Sequence, residues 1–463
     1  MNRWNGKQVV MIGAARQGIA LSRYLANKGA HVILNDRRSD DALKSAREAL
    51  VSDNITWVTG CHPPEILSGT DLVCVSGGVP LNLPIVIEAY RRKIPVTNDS
   101  QIFLEEAPCP VIGITGSSGK TTTTALVGEI AKKHYALKKP NRRAWVGGNI
   151  GYPLIQDLDQ MHKEDIAIME LSSFQLEIMT RSPQVAAILN LTPNHLDRHG
   201  TMAEYISAKS QILTHQSSHD VAVLNRDDTN IRQIYAEVRG RQITFGINPP
   251  HDNQDGTFVK RGKLYLQADG QLAKIIRADQ INLRGPHNLA NVLAAIAISA
   301  AAAFSLQAIY EGIIEFTGVP HRLEFVREWN GAAWYNDSIA TSPERAIAAL
   351  QSFDEPIILL AGGRNKNLPW QDLARWIHKK VDHLILFGEV APLILKTLGD
   401  TSPGDRPFTV DLYQGLQGAV KKASEYASPG DVVLLSPGGT SYDEFFDFEE
   451  RGKRFIQWVK ELT

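Results

Sequence analysis

Apolar positions along this chain fall into short dense runs, each released into a glycine-containing turn and followed by a helix-length segment. Residues 9–12 are the first such run. The turn Gly13-Ala-Ala-Arg-Gln-Gly18 follows, then a helix over 19–28, and the next run at 31–34 ends at Asn35-Asp36. Runs this short and apolar predict strands buried on both faces, and their alternation with helices predicts parallel sheets. Further strands are expected at 72–75, 94–96, 111–114, 165–169, 185–191, 221–224, 334–336, 357–360, 383–387 and 432–435. Helices are expected at 125–132, 202–213 and 344–350, in the Ala-rich run 292–306 and, amphipathic, at the end of the chain. Residues 145–151 read as a glycine-rich loop, and 240–284, where apolar and polar positions alternate, as a small antiparallel insert. The acidic, proline-flanked stretch 105–110 predicts one linker, and the Gly/Pro segment 316–322 a hinge.

Composition narrows the class. At 463 residues the chain exceeds one ordinary core, and about three domains are expected. The net charge of −1, with both signs interspersed, gives no pull towards nucleic acid or an anionic membrane. Cys61, Cys74 and Cys109 lack metal-type spacing and fit a reducing cytoplasm. The polar start predicts no signal peptide, and 292–306 is too short to span a bilayer.

Chemistry concentrates at the turns. Residues 111–114 run into Thr115-Gly-Ser-Ser-Gly-Lys-Thr-Thr122, a strand, glycine loop, Lys-Thr and helix. That order makes a phosphate cradle, in which backbone N–H groups and the helix N-terminus face the anion. Lys120 neutralises it and the Thr121 hydroxyl can hold Mg²⁺. The usual G-x-x-x-x-G-K-[ST] spacing wants glycine where this chain has Ile114, so the loop is a variant. Glu170 and His195 follow neighbouring strands and are placed to converge beside Thr121 as Mg²⁺ ligands, although His195 would need a carboxylate-like companion. Lys209 shares a helix face with Tyr205 and, taken alone, reads as a solvated surface lysine. Asn288 and Asn291, one turn apart, could read a base. In the first domain Ala15 replaces the middle glycine of a dinucleotide fingerprint. That turn fits a dinucleotide, another nucleotide's diphosphate or a purely structural unit, and Ser76-Gly-Gly-Val-Pro80 lies at the same sheet edge.

Taken together, Gly116-Ser-Ser-Gly-Lys-Thr-Thr-Thr, Glu170-Leu-Ser-Ser-Phe-Gln-Leu, Asn190-Leu-Thr-Pro-Asn-His-Leu-Asp-Arg-His, Gly285-Pro-His-Asn, His321-Arg-Leu-Glu and Tyr335-Asn-Asp-Ser resemble the Mur ligases, over nearly the whole chain. These are ATP-dependent amide-forming enzymes of peptidoglycan precursor synthesis, and the shorter phosphate motif of the family accounts for Ile114. The resemblance implies an α/β protein of three domains. A Rossmann-like domain over 1–108 would bind the UDP substrate, a central P-loop-type ATPase domain with a mainly parallel sheet would occupy 109–318, and a Rossmann-like domain over 319–463 would bind glutamate. The glutamate-adding branch is the most similar, which implies UDP-N-acetylmuramoyl-L-alanine and glutamate as substrates, ATP and two Mg²⁺ ions, and a cytoplasmic monomer. A Mur ligase of different amino-acid or stereochemical choice, a folylpolyglutamate-type ligase of the same superfamily and a non-catalytic nucleotide sensor are the rival readings.

By resemblance, Ala15, Arg16, Asp36, Arg37, Ser76, Gly77, Asn149, Ser173 and His195 would serve the UDP substrate. Gly116, Ser117, Ser118, Gly119, Lys120, Thr121, Thr122, Asn288, Asn291, Arg322 and Asp337 would serve ATP. Thr121, Glu170, His195 and a carbamylated Lys209 would hold metal, the carbamate turning an ammonium into an oxygen ligand. Thr341, Lys366, Ser441 and Phe448 would meet glutamate, while Lys120, Glu170, His195, Lys209, Arg322 and Asp337 carry the chemistry. One position departs. The family's Asn-Asp-Ser-Lys-Ala-Thr is Asn336-Asp-Ser-Ile-Ala-Thr341 here. Ile339 cannot pair with a carboxylate, so Lys366 or Arg364 must do more, and the enantiomer of glutamate stays open.

Overall fold

The computed structural model describes residues 2–50, 54–138, 140–149, 151–251, 254–400 and 409–463. The chain divides into two compact units, Met1–Ile281 with Ala290–Glu315, and Asn282–Leu289 with Phe316–Thr463.

The first unit holds two sheets. Strands β1 (Gln8–Ile12), β2 (His31–Asp36), β3 (Ile55–Thr59), β4 (Leu72–Val75) and β5 (Val96–Thr97) form a parallel sheet in the order β3-β2-β1-β4-β5. The order reverses direction beside β1, and the turns after β1 and β4 meet there. A Cβ built on Gly13 would lie 2.9 Å from the Val79 side chain and 3.0 Å from Ser76 Cβ, so only glycine lets the two turns touch.

The second sheet contains β6 (Val111–Thr115), β7 (Ala144–Gly148), β8 (Ile166–Glu170), β9 (Val185–Ile188), β10 (Val221–Asn225), β11 (Arg241–Phe245), β12 (Gly256–Lys260), β13 (Lys263–Ala268) and β14 (Gln271–Arg277). Its order is β14-β13-β12-β11-β10-β9-β6-β8-β7, parallel from β12 to β7. Two expectations change here. The segment 240–284 is no separate insert, because β11 and β12 continue the parallel sheet and only β12, β13 and β14 pair antiparallel. Residues 145–148 of the expected glycine loop belong to the edge strand Ala144–Gly148, while Ile150 lies outside the described residues. Its glycines allow close packing: a Cβ on Gly147 would meet Tyr152 O at 2.2 Å, and one on Gly148 would meet Glu170 O at 2.4 Å.

One continuous core joins the two sheets. Val9, Leu21 and Phe103 belong to the same buried cluster as Leu158, Ala167 and Met169. The polar contact Asn98 Nδ2 to Gln175 O, 2.7 Å, also crosses between them. The expected linker at 105–110 is therefore partly helix, since Asp99–Glu106 is helical and packs into that core.

The second unit is built on β15 (Glu324–Trp329), β16 (Ala332–Asn336), β17 (Ile357–Gly362), β18 (Val381–Phe387), β19 (Thr409–Tyr413) and β20 (Val432–Gly438). Their order is β15-β16-β20-β17-β18-β19, with only the β15/β16 pair antiparallel. Apolar clusters cover both faces, one led by Phe353, Leu359 and Leu373, the other by Trp334, Leu360 and Phe455. Among the described residues, no helix is long and apolar enough to cross a membrane.

Candidate active site

The phosphate loop leaves β6 and feeds the helix Lys120–Lys138, whose first turn starts five residues earlier than its sequence pattern suggests. Thr122, Thr123 and Thr124 are buried, so packing outweighs the weak helix preference of threonine. Gly119 sits at φ +79°, and a Cβ there would fall 2.2 Å from Asn291 Oδ1. Asn291 therefore lies against the phosphate loop, while the Asn288 amide donates to Arg284 O at 2.7 Å.

The end of β9 clamps this loop. Ser117 N donates to Asn190 O at 2.9 Å, Ser118 N to Asn190 Oδ1 at 2.8 Å, and Thr192 N to Ser117 Oγ at 3.0 Å. Ser117 Oγ also lies 2.9 Å from the Tyr205 hydroxyl. Asn190 and Tyr205 are functional candidates beyond those derived from sequence. Asn190 stands inside the quoted Asn-Leu-Thr-Pro motif, and Tyr205 shares its helix face with Lys209.

Two lysines converge behind the loop. Lys120 Nζ donates to Gly116 O at 2.9 Å, and Lys209 Nζ donates to the same oxygen at 3.0 Å and to Thr115 Oγ1 at 3.1 Å. Lys209 is only 2% exposed, which overturns its reading as a surface residue. The helix Met202–Thr214 turns its Tyr205/Lys209 face inward against the end of β6 rather than to solvent. Burial drives the Lys209 ammonium well below its usual range, and the Lys120 charge adds to the effect while Glu170 opposes it. Burial thereby favours the neutral amine over the ammonium.

Glu170 is the buried last residue of β8 and pairs in register with Ile114. The next strand carries Asn149, whose N–H donates to Glu170 O at 2.9 Å and whose amide reaches Glu170 Oε1 at 3.5 Å. Ser172 and Gln175 form a reciprocal cap on the short helix that follows, so part of the Glu-Leu-Ser-Ser-Phe-Gln motif is structural. Ser173 Oγ is buried and bonded to His199 Nε2 at 2.9 Å. His195 is exposed at φ +54°, edge-on to Phe174 with ring centroids 5.1 Å apart. Among the described residues no group of three His, Cys, Asp or Glu side chains could hold a metal ion. Any divalent ion here must draw on other donors. The Thr121 hydroxyl and the Glu170 carboxylate are hard oxygen donors of the kind Mg²⁺ prefers.

The first-domain crevice lies in the same unit. Arg198 donates to Gly78 O and Val79 O, each at 3.3 Å, linking the segment after β9 to the second glycine turn. Ser76 is buried and Gly77 half-buried in that turn. Ala15, Arg16 and Arg37 are exposed along the crevice, and Arg16 donates to Gly151 O at 2.7 Å. Asp36, at the end of β2, is bonded within the protein. It accepts from Ala14 N at 2.8 Å and from the Arg38 guanidinium at 2.8 and 3.0 Å. Those bonds outweigh burial and lower its carboxyl to about 2.

In the second unit, Asp337 follows β16 and accepts from Ser436 Oγ at 2.9 Å and Leu323 N at 3.2 Å. Burial nevertheless raises its carboxyl to about 7, against the lowering effect of those bonds and of the Arg322 charge. Ser441 is buried, Phe448 opens the closing helix Phe448–Glu461, and Lys366 Nζ reaches Thr341 Oγ1 at 3.4 Å. The raised pKa has a testable sign. An unfolded aspartate titrates near ~4, so the folded state binds this proton more tightly. The resulting stabilisation is complete below that pH and is lost as pH rises through about 7. Urea-unfolding midpoints from pH 5 to 8 are expected to fall less steeply in Asp337→Asn than in the unmodified protein. Parallel pH profiles would refute the assignment.

A phosphate loop on a parallel sheet, two converging lysines and a buried strand-end carboxylate define an α/β enzyme that handles nucleotide phosphates. Three family models match in succession: the MurD-like N-terminal domain of Mur ligases over residues 7–98, the Mur ligase middle domain over 114–299, and the Mur ligase glutamate ligase domain over 321–439. The chain belongs to the Mur ligase family of ATP-dependent ligases. Its relatives include the UDP-N-acetylmuramoylalanine--D-glutamate ligase of Symbiobacterium thermophilum, 40% identical over 99% of this chain and 98% of that protein. The ligase of the same name from Pelotomaculum thermopropionicum is 40% identical over 98% of each. Among solved structures, UDP-N-acetylmuramate-alanine ligase from Thermotoga maritima shares the fold at TM-score 0.57 and 18% identity, covering 98% of this chain and 99% of that one. MurF ligase of the same organism, in complex with ADP, matches at TM-score 0.56 and 18% identity, over 100% of this chain and 96% of that one.

Proposed function

We propose that this enzyme joins glutamate, in its D form, to UDP-N-acetylmuramoyl-L-alanine at the expense of ATP, in the cytoplasmic assembly of peptidoglycan precursors. The observation that carries the reading is the convergence of Lys120 and the buried Lys209 on Gly116 O beside the buried Glu170. The names of the full-length relatives support the substrate choice.

The alanine carboxylate attacks the γ-phosphorus of ATP and ADP leaves, giving an acyl phosphate. The glutamate amine then adds to the acyl carbon, and the tetrahedral intermediate expels phosphate as the amide forms. Lys120 offsets charge on the transferred phosphoryl group, and backbone N–H groups of Ser117 and Ser118 become anion donors once Asn190 yields them. In its neutral form, which burial favours, the Lys209 amine would add CO₂ and lose a proton to give a carbamate. Thr121, Glu170, His195 and that carbamate would hold two Mg²⁺ ions, which supply positive charge to the phosphoryl oxygens when bound.

Gly116 to Thr122 with Asn288, Asn291, Arg322 and Asp337 would take ATP. The turns after β1 and β4, with Asn149 and Ser173, would take the UDP substrate. Thr341, Lys366, Ser441 and Phe448 would take glutamate. The functional domains would run 1–108, 109–318 and 319–463, in a monomer.

Phosphate release with UDP-N-acetylmuramoyl-L-alanine and each glutamate enantiomer tests the reading. Release is expected only when ATP, the UDP substrate and D-glutamate are all present. Release with L-glutamate alone would reverse the stereochemical choice, and none with either enantiomer would overturn the function.

A further inference from the structure

Several cations stand on or beside the loops at the strand ends of the second unit, among them Arg345, Arg364 and Lys366. Arg364, one of two cations available to compensate for Ile339, is already committed. Its Nε and Nη2 each lie 2.8 Å from the Glu389 carboxylate, a bidentate pair that leaves it little to offer a ligand. Arg345 is differently placed. It stands in the first turn of the helix Pro343–Leu350, is exposed, and uses one donor on Ile339 O at 3.1 Å. Among the described residues no carboxylate lies within ion-pair distance of it, although Asp337 and Glu344 attract its charge from further off.

The Arg345 guanidinium thus bonds the main chain at the position whose side chain has lost its charge. Lys366 is close by: its Nζ reaches Thr341 Oγ1, two residues beyond Ile339. Crowding by the surrounding loops, then the charges of Arg345 and Arg451, push the Lys366 ammonium below its usual range, so these cations feel one another. Asp337 and Glu344 offset part of the Arg345 charge, but the repulsion between Arg345 and Lys366 remains, and a bound anion would relieve it.

We propose that Arg345 is a specificity-determining cation of the amino-acid site, pairing with a carboxylate of the incoming glutamate alongside Lys366 and Thr341. It takes over the charge that Ile339 lacks. The guanidinium has donors to spare after its bond to Ile339 O, and its fork suits a carboxylate better than an ammonium does. The proposal rests on the ligase reading above.

Steady-state kinetics on the full chain tests it with Arg345→Ala, Arg345→Lys and the double variant Arg345→Ala/Ile339→Lys. Losing one charge-assisted bond is expected to raise the KM for glutamate about 10- to 100-fold. The KM values for ATP and the UDP substrate should stay unchanged, and Ile339→Lys should restore part of the loss. Arg345→Ala should also discriminate less against glutamine or isoglutamine, whichever lacks the carboxylate that Arg345 holds. Thermal melting checks that each variant is folded. An unchanged glutamate KM in Arg345→Ala, with an active parent enzyme, overturns the role of Arg345 alone. An unmodified enzyme that turns over no glutamate overturns the ligase reading and this proposal with it.

Discussion

Replacing Lys209 with alanine is expected to lower turnover about 100- to 1,000-fold, the scale of losing one preorganised charge-stabilising group. The side chain is buried, burial disfavours its ammonium form, and its neighbours are Thr115, Gly116, Lys120 and Glu170. A merely structural lysine would tolerate methionine, which fills similar volume without an amine. A lysine that must become a carbamate would not. Lys209→Met should therefore fail as badly as Lys209→Ala, and Lys209→Arg likewise, because a guanidinium stays protonated. Two further readouts separate the roles. Stripping CO₂ and bicarbonate should depress the activity of the unmodified enzyme reversibly, and a short carboxylic acid should partly rescue Lys209→Ala by supplying the missing oxygen ligand. A Lys209→Met enzyme with near-normal turnover would remove the carbamate from the mechanism.

Lys209 also marks where the sequence stops informing. Helical spacing put Tyr205 and Lys209 on one face, and the structure keeps them there. Which way that face turns depends on β6, 94 residues away in sequence at Thr115, and no local pattern encodes it. The phosphate loop was legible because its parts are contiguous: strand, glycines, Lys-Thr and helix follow one another. Asn190 was quoted in a motif but given no task, because its bonds to Ser117 and Ser118 span 72 residues or more. Asp36 was recognisable as a strand-end acid, yet Arg38, two residues on, engages it.

The fold follows the same division. Dense apolar runs such as 9–12 and 111–114 became central strands, because burial on both faces leaves a strong signature. Edge and half-exposed strands were harder to see. Residues 55–59 alternate only weakly and carry exposed Thr56, and 409–413 leave Thr409 and Leu412 exposed. The strand 144–148 was hidden by its own glycines, which are there for the close approach of Tyr152 and Glu170 and not for a turn.

The largest stability effect is expected from Arg451, which lies in the second turn of the closing helix and is 0% exposed. Its Nε donates to Ser338 Oγ at 3.0 Å and its Nη2 to Ser338 O at 2.8 Å, while Nη1 and Nη2 both reach Gly439 O at 3.2 Å. Burial lowers the guanidinium to about 10, with Asp443, Glu444 and Asp337 opposing the fall. It is thus a buried cation satisfied mainly by carbonyls and a hydroxyl. Ser338 Oγ in turn donates to Phe448 O at 2.8 Å, so one side chain ties the loop after β16, the loop after β20 and the start of the closing helix. Arg451→Met keeps the bulk but strands the Ser338 and Gly439 carbonyls in a dry site, at roughly 1–3 kcal/mol for each unsatisfied group. Relief from burying a charge offsets part of this. A net loss of about 2–4 kcal/mol is expected, read as an earlier urea midpoint at unchanged slope. Because Thr341 and Ser441 sit on the loops that Arg451 joins, the glutamate KM should rise in the same variant while it is still folded. A fully stable Arg451→Met protein would mean that those carbonyls find other partners and that the helix, not its arginine, holds the loops.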